Sequence, residues 1–341
     1  LEHFRCKTVL ITGANGFLMS YLVDVLATYN DLYDHEPCRI LAIDNLTTGV
    51  NARLQHHEGR RDIVFITHDV SNPLSFSEPI HFIIHGASIA SPMVYRQKPL
   101  QTIDANVNGT RHMLELGKKN RLEGMLVMST SEIYGDPDPN YIPTPETYRG
   151  NVSSIGPRAC YDESKRMAET LSIVYNQLHQ LPVNLIRPFN IFGPGFRLDD
   201  QRVLPDIFSS VLERKQINLL SDGSPTRTFC YVTDAVRAMF MLLVSGRAGE
   251  AYNVGNDEGE ISMADLAKLL ARIGQEEIGS KQAKINYQKS SDLEYLTDNP
   301  QRRCPDLTKL RSTINWQPEV SVEEGLRRTL SSYLQLGLHN S

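Results

Sequence analysis

Apolar residues along the chain fall into short β-branched runs separated by longer amphipathic stretches. The runs at 8–12, 39–43, 63–66, 82–85, 125–128, 183–187 and 251–255 are nearly continuous in hydrophobicity. That is the pattern of strands buried on both faces of a parallel sheet. Between them, 20–29, about 100–119 and 158 to about 178 carry apolar positions at helical spacing. Repeated strand, helix, strand predicts an α/β fold, a doubly wound parallel sheet whose site lies at the carboxyl ends of its strands. After Arg187 the alternation breaks. Helices are expected near 205–214, from Tyr231 onward and at 263–273, with a weakly patterned polar stretch at 275–298. Two short helical segments close the chain, with Trp316 expected to pack between them. No internal repeat or low-complexity tract stands out.

Composition narrows the field. The 341 residues are 40% hydrophobic and 22% charged, ordinary for a soluble globular protein large enough for one large or two medium domains. A net charge of −5 without a dense Lys/Arg stripe gives nucleic-acid binding no support. Five scattered cysteines, none in a C-x-x-C pair, argue against a zinc site or a disulfide framework and suit a reducing compartment. No run approaches the roughly 18 apolar residues of a membrane span. A soluble cytoplasmic protein with no metal and no membrane partner is the expectation.

Candidate chemistry begins at the first strand, which runs straight into Gly13-Ala14-Asn15-Gly16-Phe17-Leu18-Met19 and then a helix. A glycine turn between strand and helix lets the backbone approach a pyrophosphate, and the helix N-terminus favours its charge. Met19 stands where a third glycine is usual, which predicts a shifted helix or weaker cofactor binding. The second strand ends in Asp44-Asn45. A carboxylate there accepts hydrogen bonds from a ribose and repels a 2′-phosphate, so the dinucleotide is read as NAD. Asp69 ends the third strand, and Gly86-Ala87-Ser88 follows the fourth with small residues that allow close approach. Ser129, Thr130, Ser131 and Glu132 follow the fifth strand, on the face where chemistry occurs in such folds; capping a turn is their competing role.

Tyr161 and Lys165 lie four apart on a predicted helix, so they project from one face. A tyrosine of ordinary pKa, about 10, is a poor base near neutrality. A neighbouring ammonium favours its phenolate, making a group that takes a proton from a sugar or alcohol hydroxyl. The expected division is 1–186 plus 229–256 as an NAD-binding domain and 187–228 plus 257–341 as a smaller substrate domain.

Together, Gly13-x-x-Gly16, Asp44-Asn45, Tyr161-x-x-x-Lys165 and Arg187-Pro188-x-Asn190 resemble the extended short-chain dehydrogenase/reductase superfamily of NAD-dependent epimerases and dehydratases, over about 8–335. Several segments are similar, within it, to UDP-glucuronate decarboxylases (UDP-xylose synthases). They are Ala90-Ser91-Pro92, the stretches 129–137 and 155–166, Asp222-Gly223-Ser224-x-Thr226-Arg227, and Pro300-Gln301-x-Arg303-x-Pro305-Asp306. The resemblance implies bound NAD and a nucleotide-sugar substrate. It implies cofactor contacts from Gly13, Asn15, Gly16, Phe17, Leu18, Asp44, Asn45, Thr48, Asp69, Val70, Ala87, Ser88, Ala90, Asn106, Tyr161, Lys165, Pro188, Asn190 and Ile191. Substrate contacts would come from Ser91, Pro92, Ser131, Glu132, Asn190, Arg202, Arg227, Tyr231 and Arg303, with Arg227 and Arg202 as candidates for the phosphates. Catalysis would fall to Tyr161, Lys165, Thr130, Ser131, Glu132 and Arg303. The 4,6-dehydratases that the chain resembles carry Asp-Glu where Ser131-Glu132 stands, and serine does not readily supply the proton that expels water.

The implied reaction is decarboxylation of UDP-glucuronic acid to UDP-xylose through a 4-keto intermediate, with release of a 4-keto pentose left open. The competing readings are a nucleotide-sugar 4-epimerase, a C5 epimerase, a 4,6-dehydratase, and a catalytically silent NAD-binding regulator. The helices at about 100–119 and 158–178 resemble the pair that forms a four-helix homodimer interface in the superfamily; their apolar faces suit an internal core equally well.

Overall fold

The computed structural model describes residues 2–33, 36–200, 202–279, 283–290, 297 and 299–337. Seven parallel strands form the central sheet: β1 (Thr8–Thr12), β2 (Arg39–Asp44), β3 (Ile63–Thr67), β4 (Phe82–His85), β5 (Gly124–Met128), β6 (Val183–Pro188) and the strand Ala251–Val254. Their spatial order is β3-β2-β1-β4-β5-β6 with Ala251–Val254 outermost. The chain thus winds out from β1 in one direction and then returns to wind out in the other. The register sets Thr12 opposite both Ile43 and His85, and Met128 opposite Ile186, so the carboxyl ends align along one rim. The order reverses beside β1, where a crevice opens for a ligand.

The helices are α1 (Phe17–Leu32), α2 (Pro92–Gln97), α3 (Pro99–Lys119), α4 (Ala159–His179), α5 (Val203–Leu212), α6 (Val232–Ser245), α7 (Met263–Ile278), α8 (Thr308–Ile314) and α9 (Val322–Gln335). Alternating strand residues serve opposite faces. Val9, Ile11, Ile40 and Ala42 pack with Leu22 and Leu26 of α1 and with Ala238 and Leu242 of α6. Leu10, Leu41 and Ile43 pack on the other side with Met113 and Leu114 of α3 and Tyr175 of α4. This is why these strands are continuously apolar. The first core continues into the C-terminal half through Phe208, Leu266 and Leu330.

Smaller strands build the second part. Thr226–Arg227 pairs antiparallel with Ile261–Ser262 and parallel with Arg302–Arg303. Ile217–Leu219 pairs in parallel with Ile285–Tyr287, inside the stretch that reads as weakly patterned; 280–282, 291–296 and 298 of that stretch lie outside the described residues. Trp316 is buried, and its Nε1 donates to the Asp234 carbonyl of α6, so α6 provides the surface it packs on rather than α8 and α9 alone. α9 is fourteen residues long, not a short segment. None of the described helices is long and apolar enough to cross a membrane.

Candidate active site

A cleft of about 710 Å³ runs along the carboxyl rim of the sheet. One wall is mostly backbone. Gly13 turns the chain out of β1 at φ +71°, and a Cβ there would lie 2.9 Å from the Cα and N of Ala87. A side chain is therefore excluded twice, by conformation and by contact. Gly16 caps α1 without a side-chain bond, so the first turn of the helix points free N–H groups at the cleft, a natural anion cradle. Asp44 is held by the turn it faces: Oδ2 accepts from the Asn15 N–H at 2.9 Å and Oδ1 from the Leu46 N–H at 2.7 Å. The Oγ atoms of Ser88 and Ser129 are buried on this wall without a partner. Buried polar groups are normally satisfied, so these hydroxyls suit a ligand that brings its own donors and acceptors. The glycine cradle, the Asp44 tip and the unpaired hydroxyls together fit a dinucleotide.

Met19 has found room within the fold. Its side chain is buried against Gly86, where a Cβ would lie 2.3 Å from the Met19 Sδ. The close packing that a glycine on the helix usually permits is here permitted by a glycine on the facing strand end.

Tyr161 and Lys165 lie on α4 with their side chains at the cleft, both buried. The Lys165 Nζ is 5.9 Å from the Tyr161 ring centre and donates to the Met128 carbonyl at 2.7 Å. The expected lowering of the Tyr161 pKa by the lysine is not what this arrangement produces. Burial pushes the phenol up, opposed mainly by a hydrogen bond from Thr130. Burial also pulls Lys165 down to about 7, opposed only in part by the Glu169 carboxylate. Two groups that each resist ionisation in a dry site outweigh their mutual attraction at this separation. Tyr161 is a neutral phenol here, stacked on Tyr95 at 5.1 Å and 8°.

The opposite wall is charged. Glu132 accepts two hydrogen bonds from Arg303, at 2.5 and 2.7 Å, and is also paired with Arg158. Despite burial, these guanidiniums hold the Glu132 carboxyl down at about 2. Arg227, buried and pulled down to about 9 by desolvation and Arg303, adds a further positive charge at neutral pH. Arg303 is delivered by its pairing with the strand Thr226–Arg227. Glu132 is delivered by a 3₁₀ turn, Ser131–Tyr134, capped by the Thr130 hydroxyl accepting from the Glu132 N–H at 3.2 Å. Thr130 therefore both caps the turn and hydrogen-bonds Tyr161.

The cleft is lined by Gly13, Gly16, Phe17, Leu18, Asp44, Asn45, Thr48, Asp69, Val70, Ala87, Ser88, Ala90, Ser91 and Pro92 of the expected set. It is also lined by Thr130, Ser131, Glu132, Tyr161, Lys165, Pro188, Asn190, Ile191, Arg202 and Arg303. Four expected residues are not on its wall. Asn15 meets Asp44 through its backbone, and its Oδ1 is buried without a partner. Asn106 is buried between α3 and α4, donating to Ser164 Oγ at 2.8 Å. Tyr231 packs edge-on against Phe192, beneath Arg328. Arg227 spends its guanidinium on the carbonyls of Thr226, Pro300 and Gln301, so it braces the Arg303 segment rather than presenting itself to a phosphate. Arg187, part of the superfamily-like motif, grips Glu169 at 2.8 and 2.6 Å and the Tyr134 hydroxyl at 2.8 Å, tying β6 to α4. Arg158, Tyr95 and Arg53 line the cleft but were not expected there. Arg158 had a legible signal, since it lies one turn before Asp162 at a helix start.

Residues 9–255 match the sequence profile of the NAD dependent epimerase/dehydratase family. The chain is 36% identical over 334 residues to UDP-glucuronic acid decarboxylase 5 of Arabidopsis thaliana, covering 98% of this chain and 91% of that protein. It is 37% identical over 324 residues to UDP-glucuronic acid decarboxylase 1 of Xenopus tropicalis, covering 95% of this chain and 71% of that one. Its fold is similar to that of a mutant UDP-glucuronic acid 4-epimerase from Bacillus cereus, solved with UDP-4-deoxy-4-fluoro-glucuronic acid and NAD. There the TM-score is 0.78 at 25% identity, over 96% of this chain and 99% of that one.

Proposed function

The chain belongs to the NAD dependent epimerase/dehydratase family, and from that premise we propose that it decarboxylates UDP-glucuronic acid to UDP-xylose through a 4-keto intermediate. The observation that carries this reading is the charge of the substrate wall: Arg158 and Arg303 gather on Glu132 beside the Ser131 and Tyr161 hydroxyls, Asp162 is a second counter-charge to Arg158, and Arg227 adds positive charge behind the wall. A buried excess of positive charge favours an anionic sugar over a neutral one. The relatives named UDP-glucuronic acid decarboxylases support the same substrate.

NAD, when bound, supplies the reversible oxidation at C4. The glycine turn and the N-terminus of α1 would hold its phosphates and Asp44 its ribose, and Ser88 and Ser129 would offer free hydroxyls. Tyr161 takes the C4 hydroxyl proton as a phenolate, after giving up its own proton to solvent, with the Thr130 hydroxyl donating to the phenolate oxygen. Lys165, half charged near neutrality, adjusts its protonation as Tyr161 changes charge. The oxidised sugar is a β-keto acid: the bond from C5 to the carboxyl carbon breaks, CO2 leaves, and the electron pair moves into the C4 carbonyl. Arg303 and Arg158 orient the carboxylate before it leaves. A water proton then enters at C5, and Tyr161 returns its proton when C4 is reduced. Glu132, held ionised by its arginines, cannot be the proton donor; it holds both guanidiniums in place.

Incubating the chain with UDP-glucuronic acid and following CO2 and the sugar product by mass spectrometry and NMR tests this. CO2 with UDP-xylose is expected. CO2 with a keto-pentose removes the final reduction, and conversion without mass loss replaces the proposal with the second reading, a UDP-glucuronic acid epimerase. That reading is favoured by the Bacillus cereus enzyme of like fold. The assembly we propose is a homodimer through α3 and α4, which leave Leu100, Ile103, Met167, Val174 and Leu178 exposed. Sedimentation velocity showing only monomer at micromolar concentration would remove it.

A further inference from the structure

Away from the cleft, on the outer side of α1, two adjacent imidazoles converge on one carboxylate. His56 Nε2 is 3.0 Å and His57 Nε2 2.7 Å from the same oxygen, Asp24 Oδ1. The two rings lie 3.9 Å apart at 43°. His57 is buried, while His56 and Asp24 are open to solvent, so the group combines a fixed ligand with an entrance. The potential ligand atoms all lie within 4.8 Å of one another. From these observations we propose that Asp24, His56 and His57 form a binding site for a zinc-class divalent metal ion.

Two imidazole nitrogens and one carboxylate oxygen are a borderline donor set that suits Zn²⁺ or Co²⁺, whereas Mg²⁺ and Ca²⁺ prefer all-oxygen shells. Zinc bonds of about 2.0–2.2 Å place tetrahedral ligands roughly 3.3 Å apart. Each nitrogen-to-oxygen separation here therefore opens by a few tenths of an ångström when an ion enters, a movement available to a half-buried aspartate beside an exposed histidine. Water takes the fourth position. Donation by both Nε2–H groups to Oδ1 is the metal-free alternative, and it predicts no affinity for the ion.

The site would join two segments that serve the cleft. The 3₁₀ turns Asn51–Arg53 and Gln55–His57 are consecutive, and Arg53 lines the cleft while its Nη1 donates to the Asn15 carbonyl of the glycine turn at 3.1 Å. Asp24 is on the helix that begins at that turn. An ion on Asp24, His56 and His57 thus pins the outer end of a segment whose inner end touches the cofactor wall.

The test uses untagged, folded chain stripped with chelator, titrated with Co²⁺ and with Zn²⁺ in competition. Expected are one ion per chain, a visible absorption of a nitrogen- and oxygen-ligated Co²⁺ centre, and hydrogen-exchange protection in 51–57 on binding. Asp24→Asn and His56→Ala should each weaken binding about tenfold or more, since even outer-shell losses reach that size. Circular dichroism checks that both variants remain folded, which their exposed positions favour. Absence of binding, binding unchanged in both variants, or a thiolate-to-cobalt charge-transfer band from the cysteines would each overturn the proposal.

Discussion

The two walls of the cleft are built on different principles. The cofactor wall is backbone: a turn with no side chain at Gly13 and Gly16, a helix start with free N–H groups, and one carboxylate at the end of the neighbouring strand. Its main parts come from one local segment, and its chemistry is the absence of side chains. The sugar wall is the reverse. It is made of charged side chains from the 3₁₀ turn at 131–134, the start of α4, and two short strands far along the chain, brought around one carboxylate. A wall of backbone is sensitive to any added atom. A wall of guanidiniums is sensitive to every charge and tolerates small changes in shape. Between them stands Tyr161, belonging to neither, a buried phenol that its surroundings keep neutral.

The sharpest way to break this picture is at that shared point. Tyr161→Phe removes the hydroxyl and keeps the stacked ring, so turnover of UDP-glucuronic acid should fall by about 10²–10⁴ while the fold stays intact. Turnover within a few-fold of the parent, measured as CO2 release, would move the proton transfer elsewhere.

Next is the charged wall. Glu132→Gln leaves Arg158 and Arg303 without their countercharge, and losing one partner of a buried ion pair costs about 3–5 kcal/mol. Because Glu132 retains some exposure, the lower end is expected in chemical denaturation. A substrate carboxylate replaces part of the lost charge, so UDP-glucuronic acid should raise the melting temperature of this variant more than that of the parent, and UDP-glucose should not. Equal shifts with both ligands would show that the wall does not read the carboxylate. The carboxyl also makes the wall acid-labile: with its folded pKa near 2 against 4.5 unfolded, its stabilisation is complete above 4.5 and is lost as pH falls toward 2.

The backbone wall is probed by size. Gly86→Ala puts a methyl into Met19 and should destabilise by about 1–3 kcal/mol, as overpacking does. Adding Met19→Gly should recover much of that, a coupling read from a double-mutant cycle. Additive losses would mean that the two positions do not share the space.

The last effect is electrostatic. Lys165 has a folded pKa of about 7 against 10.5 for the free side chain, so the unfolded chain holds that proton more tightly. Protonation then opposes folding, and the contribution of Lys165 to stability becomes more favourable as pH rises from about 7 to 10.5. A side-chain ¹⁵N titration should find its midpoint well below that of the surface lysines; a midpoint with theirs would contradict the burial that lowers it.

The amino-acid sequence alone determined the layers and the cofactor wall. Short continuous apolar runs bounded by turn residues are the pattern of buried strands; β1 and β4 span the residues that the pattern predicts, while the edge strand β3 leaves Phe65 exposed. The glycine turn, Asp44 and the Tyr161–Lys165 spacing are local or periodic features, written in consecutive residues. Tertiary structure decided what depends on approach across long sequence separations. It paired Met19 with Gly86, set the Arg227 guanidinium on the carbonyls of Thr226, Pro300 and Gln301, placed Asn106 and Tyr231 off the cleft wall, and set Arg158 and Arg303 on Glu132. It also decided the protonation of Tyr161 and Lys165. Spacing on a helix says that two groups share a face; the water removed from around them, set by every element that packs over them, decides which carries charge.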